Sequence, residues 1–579
     1  MSTQEFKTEK QIYDFLVEIT RSQNGYEFNL NKTKRDKQGV FLTNSLSIVD
    51  NILSIISLDD NIFCKKILEP ACGHGIFILK LIANVYLKYP FEDLIFKLIS
   101  KNIYFIDIQK EMIESTTLNI KKFYYFLFNK NFSGNLNGIL TDFTEKKSTS
   151  IQSLFDNSSN DFYKNMYNTF DYIIGNPPYI TLYGRRDKKE NEIQRIKYLQ
   201  NYNQFPKSLK NGKINFVMLF LEHSLDFLKE NGQLSFIIDV AFFETAYQYT
   251  RKYLLEHTQI TELHLNITCF NVASGQIIIK LKKTKPTENK VKVIDTKTGI
   301  SYFIPQGEWY KKDDEYRFRY NNCQIFKQIA NKVEKKQDKT ILELFPKKNL
   351  RTCVMLLNME DKFTYINKSS IDERFIYPYY QGSKSLSEKY GELTYSKYFF
   401  YDKQLQNEIN NELKIKLETQ GIKNKKRIGL GETIIYDNPK VFIRQSAKEI
   451  IATLDFQKSA ANNSLYIFSL RNNTEKSIDF LYFLCGFLNS NFVTYYAQQM
   501  NIIRYSQGKQ PQIKIRDLGS IYIPQDKELQ EKIQIHCKNI YNNRTKKNNC
   551  IAEINNLIYN YYELNELEIR TIEESLKSF

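Results

Sequence analysis

Cysteine and histidine are scarce in this sequence, and they are widely spaced. The 579 residues include eight cysteines and five histidines, and no Cys-x-x-Cys pair occurs. A structural zinc site needs ligands at close, regular spacing, and a disulfide framework needs paired cysteines in a small domain. The sequence therefore predicts no metal site, and it favours reduced thiols in a cytoplasmic compartment.

Long apolar runs are missing as well. No stretch of about 18 uncharged apolar residues occurs, which is the length that a membrane-spanning helix requires. The amino-terminal residues, MSTQEFKTEKQ, lack the apolar segment of a signal peptide. We therefore expect neither secretion nor a membrane partner.

Acidic residues are outnumbered by basic ones. Lys and Arg total 82 and Asp and Glu total 65, which gives a formal net charge of +17. Such an excess favours a polyanionic partner, because neutralising phosphates and releasing counterions drives binding to nucleic acid. Lys, Asn, Ile and Tyr are all abundant, however, and an AT-rich genome would produce that bias through codon usage alone. The charge by itself leaves both explanations open.

The length and the pattern of apolar residues predict three regions. Residues 1–38 contain an amphipathic helix, over residues 9–21, and a polar linker. Residues 39–290 alternate short apolar strands with amphipathic helices, which predicts a doubly wound, largely parallel α/β sheet. Residues 291–579 are more irregular and end in segments with helical spacing. A chain of this length is expected to form at least two large domains.

A glycine-rich turn follows the first predicted strand. In the segment ILEPACGHGIF (67–77), an apolar strand runs into a turn and then into a helix. Gly73 and Gly75 allow the backbone to approach a ligand closely, and the start of the following helix offers free N–H groups. Glu69 at the strand end suits a cationic group such as the sulfonium of S-adenosylmethionine, whereas it would repel a pyrophosphate.

Two further acids follow the next predicted strands. Asp107 closes the strand IYFID, where a carboxylate can accept hydrogen bonds from both hydroxyls of a ribose. Asp142 follows another short strand and can accept one from an adenine amino group, with Phe143 beside the ring. A helix cap or a solvated loop would account for any one of these acids, but three acids at successive strand ends favour a nucleoside site.

The most specific motif is Asn176-Pro-Pro-Tyr179, directly after the strand FDYIIG. Two prolines fix the backbone and remove two N–H donors, so carbonyl oxygens are left as acceptors. The side-chain oxygen of Asn176 and the carbonyl oxygen of Pro177 can each accept one hydrogen of a planar amine. This directs the nitrogen lone pair toward a methyl donor, while Tyr179 can stack on the base that carries the amine. A merely rigid proline turn is the alternative interpretation.

The order of these motifs resembles that of the Taq-type, or gamma-class, adenine-N6 DNA methyltransferases of restriction-modification systems. Residues 69–75 are similar to the family's cofactor loop, and residues 176–179 are similar to its catalytic motif. Residues 39–44 resemble its Gly-x-x-Tyr/Phe-Thr-Pro stretch, with Asn44 in place of Pro. Asp239 likewise replaces the Pro that ends a later strand in the family. The resemblance covers most of the chain.

The resemblance implies roles for particular side chains. Phe270 occupies the position of the family's stacking phenylalanine and would hold an extruded adenine together with Tyr179, although it could otherwise belong to the core. The expected catalytic residues are Asn176, Pro177, Tyr179 and Phe270. The residues expected to contact S-adenosylmethionine are Thr43, Glu69, Pro70, Ala71, Cys72, Gly73, Gly75, Asp107, Ile108, Asp142, Phe143, Pro178 and Phe220.

The resemblance also implies an architecture. We expect an α/β fold, with a Rossmann-like S-adenosylmethionine-dependent methyltransferase domain over residues 39–290. A mostly β or mixed carboxy-terminal target-recognition domain that ends in helices would follow over residues 291–579. Segments such as FIYPYYQGSKSL and KVFIRQSA follow the order of that domain's landmarks. Charge alone makes five residues of this region candidates for DNA contacts, namely Arg351, Lys362, Arg444, Arg504 and Lys509.

The implied function is site-specific transfer of a methyl group from S-adenosylmethionine to N6 of a flipped-out adenine in double-stranded DNA. Flipping costs a few kcal/mol, and stacking of the base on aromatic rings offsets about 1–3 kcal/mol per ring. We expect a monomer in the bacterial cytoplasm that acts without an obligatory cognate restriction endonuclease.

Several alternatives share the fold or the motif. Methylation of cytosine N4, of RNA adenine or of a protein glutamine poses the same chemical problem, although glutamine methyltransferases usually lack a basic domain of nearly 300 residues. A fused restriction enzyme would carry a nuclease domain ahead of Gly39, which only 38 residues precede. A non-catalytic specificity subunit would be free to lose the catalytic loops, which are intact here. A cytosine-C5 enzyme would need a Pro-Cys nucleophile, and no such dipeptide occurs.

Overall fold

The computed structural model divides into two compact units, residues 1–320 and residues 321–579. The unit boundary lies 30 residues beyond the predicted one between 290 and 291. Two more strands and a stacked Trp309–Phe318 ring pair extend the first unit past the predicted position. The residues that the structure describes are 6–29, 43, 45–146, 165–182, 188–206, 213–267, 275–320, 324–366, 373–419, 427–504 and 511–577.

The amino-terminal helix belongs to the first unit and is not a separate segment. It runs from Glu9 to Asn29, longer than the predicted range of 9–21. Ile12 and Leu16 of this helix are buried in the same apolar cluster as Phe77. The predicted amphipathic stripe is therefore the face that packs on the rest of the unit.

Helices and strands alternate through the first unit. The helices are α1 (Glu9–Asn29), α2 (Leu46–Leu53), α3 (Ile76–Lys88), α4 (Glu92–Lys97), α5 (Lys110–Phe128), α6 (Lys188–Asn201), α7 (Phe216–Phe227) and α8 (Gln248–His257). The strands are β1 (Ile67–Glu69), β2 (Ile103–Asp107), β3 (Asn137–Leu140), β4 (Phe170–Gly175), β5 (Leu228–Asp239), β6 (Gln259–Ile267), β7 (Gln276–Lys282), β8 (Lys290–Asp295) and β9 (Ser301–Pro305). Short helical turns lie at Asp60–Cys64, Leu98–Asn102, Val240–Phe243, Thr245–Tyr247 and Gln306–Trp309.

The described strands of this unit form one sheet in the order β3-β2-β1-β4-β5-β7-β6-β8-β9. Strand β1 is parallel to β2 and β4, β4 is parallel to β5, and β7 is antiparallel to β5 and β6. The predicted doubly wound, largely parallel sheet is confirmed. The chain builds outward from β1 to β3 and then restarts with β4 on the other side of β1. In open α/β sheets, ligands bind at the carboxyl ends of the two strands that flank such a reversal.

Side chains alternate between two buried faces of the sheet. Ile67, Ile174 and Ile237 share an apolar cluster with residues of α2 and α3, whereas Leu68 and Phe236 belong to the cluster on the other face. Burying each side chain of this size contributes about 1.5–3 kcal/mol. The central strands are therefore held from both sides, as expected for a parallel sheet, and their carboxyl ends have fixed positions.

The second unit mixes short strands with helices. The strands are β10 (Lys339–Thr340), β11 (Leu350–Thr352), β12 (Thr364–Tyr365), β13 (Ile376–Tyr380), β14 (Lys397–Phe400), β15 (Lys440–Arg444), β16 (Ala452–Asp455), β17 (Ala460–Ala461), β18 (Leu465–Phe468), β19 (Ile503–Arg504), β20 (Gln512–Ile513) and β21 (Tyr522–Ile523). The helices are α9 (Gln324–Lys335), α10 (Ile341–Leu344), α11 (Gly382–Ser385), α12 (Lys403–Thr419), α13 (Thr433–Asp437), α14 (Glu475–Leu488), α15 (Asn491–Gln499), α16 (Ile515–Leu518), α17 (Lys527–Asn542), α18 (Lys547–Tyr561) and α19 (Glu566–Lys577). Single 3₁₀ turns lie at Glu360–Lys362, Glu373–Phe375 and Arg544–Lys546.

Two small sheets carry the strand core of the second unit. Their strand orders are β11-β18-β15-β16 and β12-β14-β13-β17. Helices α14, α17 and α18 pack together beside them and bury residues such as Leu484, Ile533 and Ile554. The predicted mixed region that ends in helices is therefore confirmed. Among the described residues, no helix combines the length and the apolar character needed to cross a membrane.

Candidate active site

The glycine turn after β1 forms the floor of the candidate site. Gly73 and Gly75 have φ angles of +52° and +81°, in the left-handed region that glycine adopts without strain. A Cβ at Gly75 would lie 2.8 Å from Cγ2 of Thr116, so a side chain has no room there. Gly75 caps α3, whose first N–H groups have no partner within the helix. The turn thus brings bare backbone and a helix start to the carboxyl edge of the sheet.

Helix α5 holds this turn through polar side chains that the sequence analysis missed. The Thr116 hydroxyl donates to the Gly73 carbonyl at 2.8 Å, and the Asn119 amide donates to the His74 carbonyl at 3.0 Å. Thr116 is fully buried. A threonine on the otherwise apolar stripe of a helix was the available signal, because a buried hydroxyl needs a hydrogen-bond partner.

Glu69 ends β1 in an unusual environment for a carboxyl group. Its side chain is 2% exposed, and Oε2 has no hydrogen-bond partner among the described residues. Burial, together with the nearby carboxylate of Asp107, raises the pKa of Glu69 well above its usual value. A buried carboxylate without a counter-charge is strongly disfavoured. The site is therefore built to receive a cation or a hydrogen-bond donor from a ligand.

Asp107 ends β2, beside the glycine turn. Its Oδ2 accepts from the Gly73 N–H at 3.1 Å, and its Oδ1 accepts from the Gln109 N–H at 2.9 Å. Burial raises the pKa of Asp107 above its ordinary value. Each carboxylate oxygen can accept more than one hydrogen bond, so this group can bind ligand hydroxyls while it fixes the turn. Ile108 next to it is largely exposed, as a residue that covers a ligand ring would be.

The predicted adenine-pocket residues are closely packed in the structure. Asp142 uses Oδ1 to accept from both the N–H and the hydroxyl of Thr144, at 2.8 and 2.7 Å. Phe143 and Phe220 are almost fully buried, with ring centroids 5.0 Å apart. The sequence did not predict this mutual contact. The two rings form part of the buried core behind the carboxyl ends of the strands.

The Asn-Pro-Pro-Tyr segment follows β4, immediately beside Glu69. A Cβ built on Gly175 would lie 3.7 Å from Cγ of Glu69, so a side chain added there would touch Glu69 and the two strand ends are adjacent. The Asn176 amide nitrogen donates to the Thr43 hydroxyl at 3.4 Å, and the Tyr179 hydroxyl donates to Asn176 Oδ1 at 2.7 Å. Thr43 is buried. The structure thus brings the predicted residues Thr43, Glu69, Asn176 and Tyr179 together.

Asp239 ends β5 on the other side of this segment, and the sequence analysis gave it no role. It is 8% exposed, and Oδ1 has no hydrogen-bond partner among the described residues. Burial raises the pKa of Asp239 to about 6. The signal available from the sequence was its departure from the proline of the related family.

The remaining predicted site residues differ in their exposure, and two predicted residues lie outside the described part of the chain. Pro70, Cys72 and Pro177 are buried, whereas Ala71 and Pro178 are partly exposed along the same edge. Phe270 lies outside the described residues, and so does Lys509. No group of three or more His, Cys, Asp and Glu side chains that could hold a metal ion occurs in the described part of the chain.

The basic residues singled out in the second unit differ in their surroundings. Arg351 forms an ion pair with Glu432 at 2.9 Å, and Arg504 forms one with Asp517 at 2.5 Å. Arg444 donates to the Ser446 carbonyl at 2.8 Å. Lys362 is exposed. Charge alone does not distinguish a structural ion pair from a cation that can meet phosphate.

The strand order, the glycine turn at the reversal of winding and the acids at the strand ends define the class of this protein. It has the Rossmann-like fold of S-adenosylmethionine-dependent methyltransferases, followed by a mixed carboxy-terminal domain.

Comparison with protein families specifies this class further. A family model described as Eco57I restriction-modification methylase matches residues 101–270, and one described as TaqI-like C-terminal specificity domain matches residues 377–523. The chain is therefore similar to the methyltransferases of restriction-modification systems, and the resemblance to that class drawn from its motifs is confirmed.

Individual relatives agree with the family models. The chain is 28% identical over 193 residues to the type II methyltransferase M.HincII of Haemophilus influenzae, which covers 30% of this chain and 36% of that protein. It is 35% identical over 97 residues to the type II restriction enzyme and methyltransferase RM.Eco57I of Escherichia coli, which covers 16% of this chain and 9% of that protein. The matched regions thus span little more than a third of these relatives at most.

Solved structures share the fold. The type IIL restriction-modification enzyme MmeI, solved in complex with DNA, aligns over 97% of this chain and 81% of its own with a TM-score of 0.61 and 11% identity. The DrdV–DNA complex aligns over 91% of this chain and 59% of its own with a TM-score of 0.51 and 11% identity. At this identity the likeness establishes the fold alone.

The environment of Glu69 leads to a prediction about the ligand. We expect Glu69→Gln to weaken the binding of S-adenosylmethionine about 10- to 100-fold, because a hydrogen bond to a charged group contributes about 1.5–3 kcal/mol. Titration calorimetry measures the dissociation constant. Glu92→Gln is the matched control. Glu92 lies on α4, away from the strand ends, and forms an ion pair with Lys130. An unchanged affinity of Glu69→Gln would show that Glu69 does not face the ligand.

Proposed function

We propose that this chain is the modification enzyme of a restriction-modification system and transfers a methyl group from S-adenosylmethionine to N6 of an adenine in double-stranded DNA. The observation that carries the proposal is the position of the buried Glu69 carboxyl, whose Oε2 has no hydrogen-bond partner among the described residues, directly beside the Asn176 segment. The Glu69 carboxyl suits a cationic methyl donor, and the Asn176 segment suits the amine that accepts the methyl group. Methyl transfer requires both at one place.

The residues present fit S-adenosylmethionine. Glu69 offers a carboxylate oxygen that lacks a partner, and the Asp107 carboxylate is suited to ribose hydroxyls. The start of α3 suits the carboxylate of the methionine part, because helix amino termini favour negative charge. When bound, the sulfonium supplies an activated methyl group. The protein's contribution is to position it and to exclude water.

The Asn176 segment fits the amino group of a base. Asn176 Oδ1 and the Pro177 carbonyl would accept the two amine hydrogens, which turns the nitrogen lone pair toward the methyl group. An amide oxygen can accept two hydrogen bonds, so an incoming amine can share Asn176 Oδ1 with Tyr179 or displace its hydroxyl. Acceptors fixed in advance stabilise the charge that grows on the nitrogen without reorganising. No covalent intermediate is required.

A base in a duplex cannot reach this edge of the sheet, so the target has to leave the helix. We propose that Tyr179 and Phe270 stack on the extruded adenine and offset part of that cost. The excess of basic residues supports DNA as the partner. The carboxy-terminal unit would recognise the target sequence, with exposed Lys362 among its phosphate contacts.

The first prediction concerns the acceptor for the amine. We expect Asn176→Ala to lower the rate of methyl transfer to DNA about 100- to 1000-fold, as removal of a transition-state acceptor does elsewhere. S-adenosylmethionine binding should stay close to that of the wild type. Transfer of tritiated methyl groups to DNA from a methylation-deficient host gives the rate, and nucleoside analysis identifies the methylated base.

Two results would contradict this proposal. Retained transfer in Asn176→Ala would show that the acceptor geometry is wrong. Label in N4-methylcytosine or in protein glutamine, instead of N6-methyladenine, would show that the chain methylates an amino group but that adenine is not its substrate.

A second prediction concerns the charge of the chain. We expect DNA affinity to fall by about 1000-fold or more between roughly 50 and 200 mM salt, as it does when six or more phosphates are contacted. Fluorescence anisotropy of a labelled duplex measures the dependence. Lys362→Ala should reduce the slope of log K against log salt by about one if Lys362 contacts a phosphate. A flat response would leave codon usage as the explanation of the charge.

A further inference from the structure

Asp239 lies at the same edge of the sheet as the two groups of the proposed reaction. Strands β4 and β5 are parallel, with Gly175 opposite Phe236. The Tyr179 hydroxyl lies 2.7 Å from Asn176 Oδ1 and 3.3 Å from the Ile237 carbonyl, two residues before Asp239. The rise and spacing of strands place the Cα atoms of Asn176 and Asp239 roughly 8 Å apart. An amine held between the two side chains could reach both.

The side chains of Asn176 and Asp239 belong to one face of the sheet. Ile237 packs in the cluster that includes α2 and α3, and strand alternation puts Asp239, two positions further along β5, on the same face. The bond between Asn176 and Thr43 supports this assignment, since Thr43 lies just before α2. The alternation in β1, where Ile67 packs in this cluster, likewise assigns Glu69 to it.

The residues around Asp239 are buried and hydrogen-bonded to one another. The Tyr247 hydroxyl is also buried without a hydrogen-bond partner among the described residues. Burial, together with the nearby Asp239 and Tyr179, raises the pKa of Tyr247 well above its usual value. The fully buried Arg251 donates to the carbonyls of Phe242 at 2.5 Å and of Glu244 at 2.8 Å. The segment that follows Asp239 is thereby fixed to α8.

The other carboxyl groups of the edge have different tasks. Both oxygens of Asp107 accept backbone N–H groups of their own loop, and Asp142 accepts twice from Thr144. Glu69 is committed to the cationic donor in the proposed function. Asp239 is a further acid near the Asn176 segment, with Glu244 close to it. The N–H groups of Ala241 and Phe242 act on its carboxylate, and its Oδ1 still has no donor among the described residues.

We propose that the Asp239 carboxylate is a catalytic residue that accepts the proton released by the target amine, an inference that rests on the proposed function. The amine nitrogen forms a bond to the methyl carbon while the carbon–sulfur bond breaks, and that electron pair stays on sulfur. The nitrogen then carries a positive charge and one proton too many. The N–H bond breaks, its electron pair returns to nitrogen, and the proton passes to an Asp239 oxygen and later to water.

The role requires the ionised form of Asp239. Burial raises its pKa to about 6 and Glu244 adds to the rise, whereas Lys213 lowers it. Tyr247 is a further titratable group beside it, and Tyr179 in turn lies near Tyr247. The carboxylate therefore predominates above about pH 6 and is lost below it. The rate of transfer should fall as the pH falls through this range.

The experiment measures single-turnover transfer of tritiated methyl groups to adenine in DNA from a methylation-deficient host, from pH 5 to pH 9. We expect Asp239→Asn to lower the rate about 100-fold or more, as loss of a general base does, and to abolish the fall at low pH. S-adenosylmethionine affinity should be unchanged. Asp239→Glu should recover part of the rate and the acid limb, because it restores a carboxylate.

Folding of the variant is checked by its thermal midpoint. The raised pKa means that the ionised carboxyl destabilises the folded wild type above about pH 6, and that this effect fades as the pH falls toward the ordinary value for Asp. Asp239→Asn should therefore melt higher than the wild type at pH 7.5 and gain less at pH 5. Asp171→Asn is the matched control: it removes an acid from the opposite end of β4, where Asp171 pairs with Lys65 and Lys229.

The outcomes separate the two levels of the argument. If Asp239→Asn transfers methyl groups at the wild-type rate and with the wild-type pH profile, the role of Asp239 is overturned and the proposed function is not. An equal loss of rate in Asp171→Asn also overturns it, because a general effect of acid removal would then suffice. Absence of adenine methylation by a wild type that binds S-adenosylmethionine overturns the proposed function and the role of Asp239 with it.

Discussion

A buried carboxyl group at the end of the first strand, with one oxygen that has no partner in the part of the chain that the structure describes, is the constraint on which this site depends. Glu69 is 2% exposed and keeps one oxygen unpartnered. Such a group is unfavourable in the folded protein by itself. Its burial becomes useful once a ligand brings a positive charge, because the interaction then takes place away from water, where it is strongest.

The order of the strands brings the rest of the chemistry to Glu69. Winding reverses between β1 and β4, so the Asn176 segment begins beside Glu69, and β5 adds Asp239 on the far side. Thr43 is 133 residues away from Asn176 in sequence and still reaches its amide. A donor site, an amine acceptor and an acid thus lie side by side at three neighbouring strand ends, and each is fixed by the buried strand that precedes it.

Much of this arrangement could be predicted from the sequence, because it is encoded locally. The Gly73–Gly75 turn and the Asn-Pro-Pro-Tyr segment each depend on a few adjacent residues and on the strand before them. What could not be predicted depends on pairings distant in sequence. Arg351 and Glu432 are 81 residues apart, so a charge count could not tell that they are paired. The position of Asp239 beside the Asn176 segment depends on the register of β5 against β4. The domain boundary depends on β8 and β9, the last strands of the sheet in sequence order.

The protons released when S-adenosylmethionine binds test the central claim most directly. Calorimetric titrations near neutral pH, in buffers that differ in ionisation enthalpy, count those protons. If the sulfonium or ammonium group approaches Glu69, it lowers the raised pKa of that carboxyl, and the wild type should release more protons per ligand than Glu69→Gln. Equal proton release by the two proteins, with both of them binding the ligand, would contradict the account.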